Sequence, residues 1–248
     1  MIRGYYTALA GMVTTVRRTE IAINNIANVQ TPGFKQERTS SSVFNEQLLT
    51  QLQDGQPTTV GPIVLTNVAR SPEIDFTQGP LEHTGRELDL ALNGQGFLVV
   101  DHGGPAFTRD GSLSRDAEGY LTTRTGRLVL GVNGPIRAAS DPIQVAPDGT
   151  VTSGGVAVGR LRIVEFEDPK ALRRQGDNLL VAGEGAPPRD AERTELQQGF
   201  LEASNVDVSS NMVSLLELQR AYESSLRLIQ FQNETLSRSV TEIGRPAS

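Results

Sequence analysis

The sequence predicts an α+β protein. N- and C-terminal helices pair as a coiled-coil domain around an inserted antiparallel all-β domain of sandwich- or barrel-like type. Three observations carry this. Apolar residues recur at alternating spacings of three and four near both ends of the 248-residue chain, proline and glycine avoid the interiors of these end segments, and the middle is a series of short apolar runs separated by glycine turns.

The first helix is read from Ile2, Tyr5, Leu9, Met12, Val16, Ile23 and Ile26, with Thr19 in a polar slot. The second is read from Met212, Leu215, Tyr222, Leu226, Ile229, Leu236, Val240 and Ile243, with Gln219 and Asn233 in polar slots. A seven-residue repeat with apolar first and fourth positions marks a helix that buries a narrow stripe against another helix. The stripe is thus the candidate self-assembly interface, with Gln219 and Asn233 setting its register. The 13 prolines all lie between Pro32 and Pro188 except Pro246, and no glycine occurs from 200 to 243. Either residue inside a helix costs roughly 1 (Gly) to 3 (Pro) kcal/mol, so these gaps are where long helices fit. The first helix is expected to stop near Asn28, before the Thr31-Pro32-Gly33 break. The second is expected to start at Ser204 or Asn205, or nearer Ser209, and to stop at Gly244. At 1.5 Å per residue it would be on the order of 60 Å long.

Residues 35–73 are expected to be an extended connector, with a short helix in Phe44–Leu52 and a loop over Gly55–Pro62. From 74 to 200 the runs Phe97–Val100, Leu128–Leu130, Ile143–Val145 and Leu161–Phe166 read as strands. Asp110-Gly111, Glu118-Gly119, Asn133-Gly134 and Asp148-Gly149 read as hairpin turns. The domains expected are therefore 1–34 with 201–248, the connector 35–73, and the β domain 74–200.

Composition bounds the function. Hydrophobic content is 37% and aromatic content 5%, without Trp, which is thin for a self-contained core and favours burial against partner chains. A net charge of −6 gives no support to nucleic-acid binding. The absence of cysteine excludes disulfides and thiolate chemistry. No signal-peptide pattern is visible, so a protein exported from the cytoplasm would keep its N-terminus. No apolar run is long enough to span a membrane. Enzyme signals fail in turn. Gly94-Gln95-Gly96 lacks a third glycine at Val99 and precedes a strand, unlike a dinucleotide turn. Only His83 and His102 are present, both in turn-rich stretches. No catalytic, cofactor-binding or metal-ligating residues are expected.

The sharpest local signal is the stretch from Asn24 to Lys35. Asn24, Asn25 and Asn28 crowd the end of the first helix, ahead of Thr31, Pro32, Gly33 and Phe34. Asn24 and Asn28, four apart, share one helical face on which their amides can bridge a neighbouring backbone. A helix end, a Pro–Gly turn and a packed Phe would explain each residue type, but not three asparagines in five positions.

This stretch resembles the N-terminal signature of the flagellar rod and hook protein family. Gln198-Gly199-Phe200-Leu201-Glu202-Ala203-Ser204-Asn205-Val206 and Gln219-Arg220-Ala221-Tyr222-Glu223 resemble the family's C-terminal block. Leu88-Asp89-Leu90-Ala91-Leu92, Gly94-Gln95-Gly96-Phe97 and Phe107-Thr108-Arg109-Asp110-Gly111-Ser112 resemble its middle. Gly134-Pro135-Ile136 and the strand Gly159–Val164 are more similar to the proximal-rod type than to the distal-rod type. The resemblance implies a structural subunit of the bacterial flagellar basal-body rod. Its partners would be copies of itself, other axial rod and hook subunits and the flagellar type III export apparatus, with ring proteins or peptidoglycan as further contacts. It also implies a periplasm-spanning location, torque transmission and an enclosed export channel. Two rivals are a periplasmic adaptor scaffold and a secreted carbohydrate-binding β protein. The first would insert its helical hairpin within β modules, the reverse of the order here. The second would need an aromatic platform or paired acids.

Overall fold

The computed structural model describes residues 2–39, 46–53, 56–64, 72–183, 185–191 and 193–243. The chain is α+β, with one long helix near each end and antiparallel strands between. Two compact units divide it. One comprises 1–26, 37–73 and 208–248; the other comprises 27–36 and 74–207.

The helical unit holds α1 (Ile2–Ala27) and α2 (Val208–Ile243). α1 stops where Thr31 N–H bonds to the Asn28 carbonyl and Phe34 N–H to the Thr31 carbonyl, turning the chain ahead of Lys35. The polar slot at Thr19 is neutralised inside the helix. The hydroxyls of Thr14, Thr15 and Thr19 donate to the carbonyls of Ala10, Gly11 and Thr15, one turn back along the helix. α2 begins at Val208, as the alternative nearer Ser209 would have it and later than Ser204 or Asn205, because the Asn205 side chain is committed elsewhere. Its amide bonds to the backbone of Gln36, Asp75 and Thr77. The expected stop at Gly244 lies outside the described residues. Neither helix is long and apolar enough to cross a membrane.

The connector contains one correction. Glu46–Gln53 is a strand, not part of a helix, and it pairs antiparallel with Gln56–Val64, which had been expected as loop. Glu-Gln-Leu-Leu-Thr-Gln-Leu-Gln satisfies both periodicities, and the β-branched run Thr58-Thr59-Val60 supplies a pairing partner that helix propensity does not weigh. Pro57 and Pro62 are tolerated because each strand of a two-stranded ribbon has an outer edge.

The β unit is built on a six-stranded antiparallel sheet. Its spatial order is Leu172–Gly176, Leu179–Ala182, Pro105–Thr108, Phe97–Asp101, Ile163–Glu165 and Arg189–Asp190. The strand Phe97–Asp101 explains its own sequence. Phe97, Leu98, Val99 and Val100 are all essentially inaccessible. Alternation sends Leu98 and Val100 into one core with Leu90, Leu113, Leu121 and Val151. It sends Phe97 and Val99 into a second core with Phe107, Val164, Phe166 and Leu180. An unbroken apolar run is what a strand covered on both faces requires. In the second core Phe166 packs edge-on against Phe97 and Phe107, at centroid distances of 5.8 and 4.9 Å.

Around this sheet lie a three-stranded sheet (Ile143–Val145, Thr150–Ser153, Val156–Arg160) and shorter ribbons. Glu118-Gly119, Asn133-Gly134 and Asp148-Gly149 turn hairpins as expected. Asp110-Gly111 does not. Pro105–Thr108 and Leu113–Arg115, on either side of it, lie in different sheets. Asp110 Oδ1 instead accepts the Ser112 N–H, and Gly111 passes against Leu90, whose N–H donates to its carbonyl.

Candidate functional site

The signature turn, the Phe107–Ser112 segment and the Gly199–Val206 block, far apart in sequence, meet at one buried ion cluster. Gly33 has φ 65°, and a Cβ there would lie 2.3 Å from the Arg109 carbonyl, so both conformation and space demand glycine. Its N–H donates to the Glu202 carbonyl at 2.7 Å. Phe34 is buried beneath the Arg174 guanidinium, 4.3 Å from its ring centroid. Asn178 Nδ2 donates to the Pro32 carbonyl and Arg174 to the Lys35 carbonyl, so each side of the turn is held by the strand hairpin at 172–182.

Glu202 lies at the centre. Its side chain is fully inaccessible, and those of Lys35 and Arg109 are nearly so. Lys35 Nζ donates to Glu202 Oε1 at 2.5 Å and to the Thr77 carbonyl at 2.7 Å. Gly79 N–H donates to the same Oε1 at 2.9 Å. Arg109 donates to Glu202 Oε2 at 3.0 Å and to the Gly94 carbonyl at 2.6 Å, with its guanidinium 5.1 Å from the Phe97 ring centroid. Charge-assisted bonds of this kind are the strong ones, and an ion left unpaired here would be costly. Burial lowers the Lys35 pKa; the Glu202 charge and hydrogen bond oppose that shift, and Arg109 adds to it. With its oxygens taken by three donors and no solvent access, Glu202 is built to join segments, not to transfer protons to a substrate.

Asn25 makes a second joint, within the helical unit. Buried in α1, it donates from Nδ2 to the Glu37 carbonyl at 2.8 Å and accepts the Glu37 N–H at Oδ1 at 2.9 Å. Nδ2 also lies 3.4 Å from Asn211 Oδ1 on α2. Asn25, between Asn24 and Asn28, is thus a bridging amide. Asn28 accepts the Thr31 hydroxyl within the turn.

The apolar stripe is distributed unevenly in the single chain. Leu9, Val16, Ile23 and Met212 are exposed, by 43 to 53%, and Tyr222 is at the margin of exposure. Met12, Ile26, Leu215, Leu226 and Ile229 are half-buried. The covered positions include the neighbours Ala8, Ala22 and Asn25 on α1 and Asn211 and Leu218 on α2. Gln219 and Asn233 are exposed, and Gln219 bonds to Glu223 on its own helix. Ile2, Tyr5, Leu236, Val240 and Ile243 lie on the helices, with side chains outside the described set.

Lys35, Arg109 and Glu202 were not singled out by reading the sequence. The available signal was a charged residue one or two positions after a phenylalanine in each block: Phe34-Lys35, Phe107-Thr108-Arg109 and Phe200-Leu201-Glu202.

Known proteins match the same blocks. Residues 6–35 match the flagella basal body rod protein model, 91–153 the flagellar hook protein FlgE/F/G D1 domain, and 197–242 the flagellar basal body rod FlgEFG protein C-terminal model. The flagellar basal-body rod protein FlgF of Caulobacter vibrioides is 37% identical over 246 residues, covering 98% of each chain. FlgF of Rhizobium meliloti is 31% identical over 98% of this chain and 99% of its own. The flagellar basal-body rod protein FlgG of Bacillus subtilis is 30% identical over 97% of this chain and 98% of its own. With relatives aligned from end to end and all three matched regions contributing to one ion cluster, the chain belongs to the flagellar basal-body rod protein family.

Proposed function

We propose that this protein is a structural subunit of the flagellar basal-body rod, of the FlgF type in preference to the FlgG type. The observation that carries this is the full-length similarity to the Caulobacter vibrioides FlgF, at higher identity than to the FlgG relatives. The work of such a subunit is assembly, not turnover. α1 and α2 pair as a coiled coil, copies stack helically around a central export channel, and the sandwich- or barrel-like β unit faces outward. Exposed Leu9, Val16, Ile23 and Met212 support this reading, since apolar side chains left uncovered in one chain suit burial by neighbours. The partners are copies of this chain, other axial subunits and the export apparatus, with ring proteins or peptidoglycan beside the rod. The location is the basal body, and the rod carries torque across the periplasm. Deletion of the gene should abolish swimming and leave purified basal bodies without a complete rod. Intact rods in the deletion strain would reject the reading.

A further inference from the structure

The β unit receives the chain from α1 and returns it to α2 through two short segments. One runs from Ala27 to Gln36, the other from Glu202 to Asp207. These are tied to each other at successive levels: Gly33 N–H to the Glu202 carbonyl, Lys35 Nζ to Glu202 Oε1, and Gln36 N–H to Asn205 Oδ1 at 2.7 Å. The Glu202 carboxylate also continues from this tie into the rest of the β unit, through Arg109 and the Gly79 N–H, beside the bonds of Lys35 and Asn205 to Thr77. Stability by itself does not call for ions at this place, because apolar residues of the same volume often serve a buried core as well or better. Ions differ from apolar packing in being directional: each bond holds only if its partner stays at one distance and angle.

We propose that Glu202 is a positioning residue. Its carboxylate sets the separation and register of the segments 27–36 and 202–207 relative to each other, so that the two keep one geometry. A subunit that passes torque between neighbours needs such a joint, so the use of this geometry rests on the rod-subunit reading, while the geometry itself does not.

The test exploits the absence of cysteine, which leaves no background for labelling. Gln30 and Asp207, both exposed, are replaced by Cys in the full chain and spin-labelled. Their distance distribution is measured by pulsed electron resonance in the labelled parent, in Lys35→Met/Arg109→Met/Glu202→Leu, and in Glu202→Gln. The apolar triple variant should melt close to the parent yet show a distribution about twofold broader, as expected if the ions supply specificity more than stability. A folded triple variant as narrow as the parent would overturn the proposal. If that variant does not fold, Glu202→Gln decides by the same comparison, since it keeps the shape and one acceptor oxygen but loses the charge and puts an NH2 donor where the second oxygen stood. Broadening in a strain whose rods and swimming remain normal would separate the two ideas: the positioning role would stand and its use in the rod would fall.

Discussion

Gly111 has no room for a methyl group. A Cβ there would lie 1.6 Å from the Leu90 carbonyl oxygen, a backbone atom that cannot step aside without moving a core strand. Gly111→Ala is expected to lose about 3 kcal/mol, the upper range of overpacking costs, in urea unfolding followed by far-ultraviolet circular dichroism. Its neighbour Asp110 gives a pH prediction. Burial raises its pKa above the ordinary 3.8, against the opposing bond from the Ser112 N–H. The folded protein therefore holds this proton to higher pH than the unfolded chain does. The associated stability is present below 3.8 and is lost as pH rises through the folded value. Asp110→Asn keeps an acceptor for Ser112 but cannot ionise. It should be more stable than the parent at pH 7, with the difference shrinking as pH falls toward 3.8; a gain independent of pH would contradict this. From the residues alone, Asp110-Gly111 was legible as a special backbone position but was misread as a hairpin, because a close approach to Leu90 is set by a strand some twenty residues away. The same limit applied to the three asparagines. Their density was visible, but which amide faces Glu37 depends on the rotation of α1 against the chain it packs on.

Among the elements, the central strand Phe97–Asp101 was legible because four consecutive apolar residues have few other uses. Phe97→Ala should cost about 3–5 kcal/mol, as for other fully buried aromatics, measured by chemical denaturation. Val156→Thr on the exposed edge strand should stay within about 0.5 kcal/mol. That contrast tests which strand carries the cores. The hairpin at 46–64 was not legible, since eight residues with Leu48, Leu49 and Leu52 suit either periodicity and only a pairing partner decides between them. The start of α2 was bracketed but not located. Asn205 is a good helix cap by type, yet its amide bonds to the Gln36 N–H and to carbonyls of Asp75 and Thr77, and the helix waits until Val208.

For the whole molecule, the prediction concerns what one chain leaves uncovered. Leu9, Val16 and Ile23 line one side of α1 and are about half exposed. Replacing all three with Glu should change the stability of the isolated subunit little, as surface substitutions do, yet abolish rod formation in a complementation assay. Normal rods from this variant would remove the stripe from the interface. The alternating three-and-four spacing, the proline and glycine gaps and the glycine turns determined the α+β class and the order of elements, because each is a local pattern tied to backbone conformation, while the resemblance to the family rested on the motif blocks themselves. Tertiary structure alone decided that Lys35, Arg109 and Glu202 share one cluster, that Asn25 bonds to the Glu37 backbone, and which apolar helix positions one chain covers. Those outcomes depend on where remote segments meet in space, and charge compensation between residues 35, 109 and 202 leaves no periodic trace along the chain.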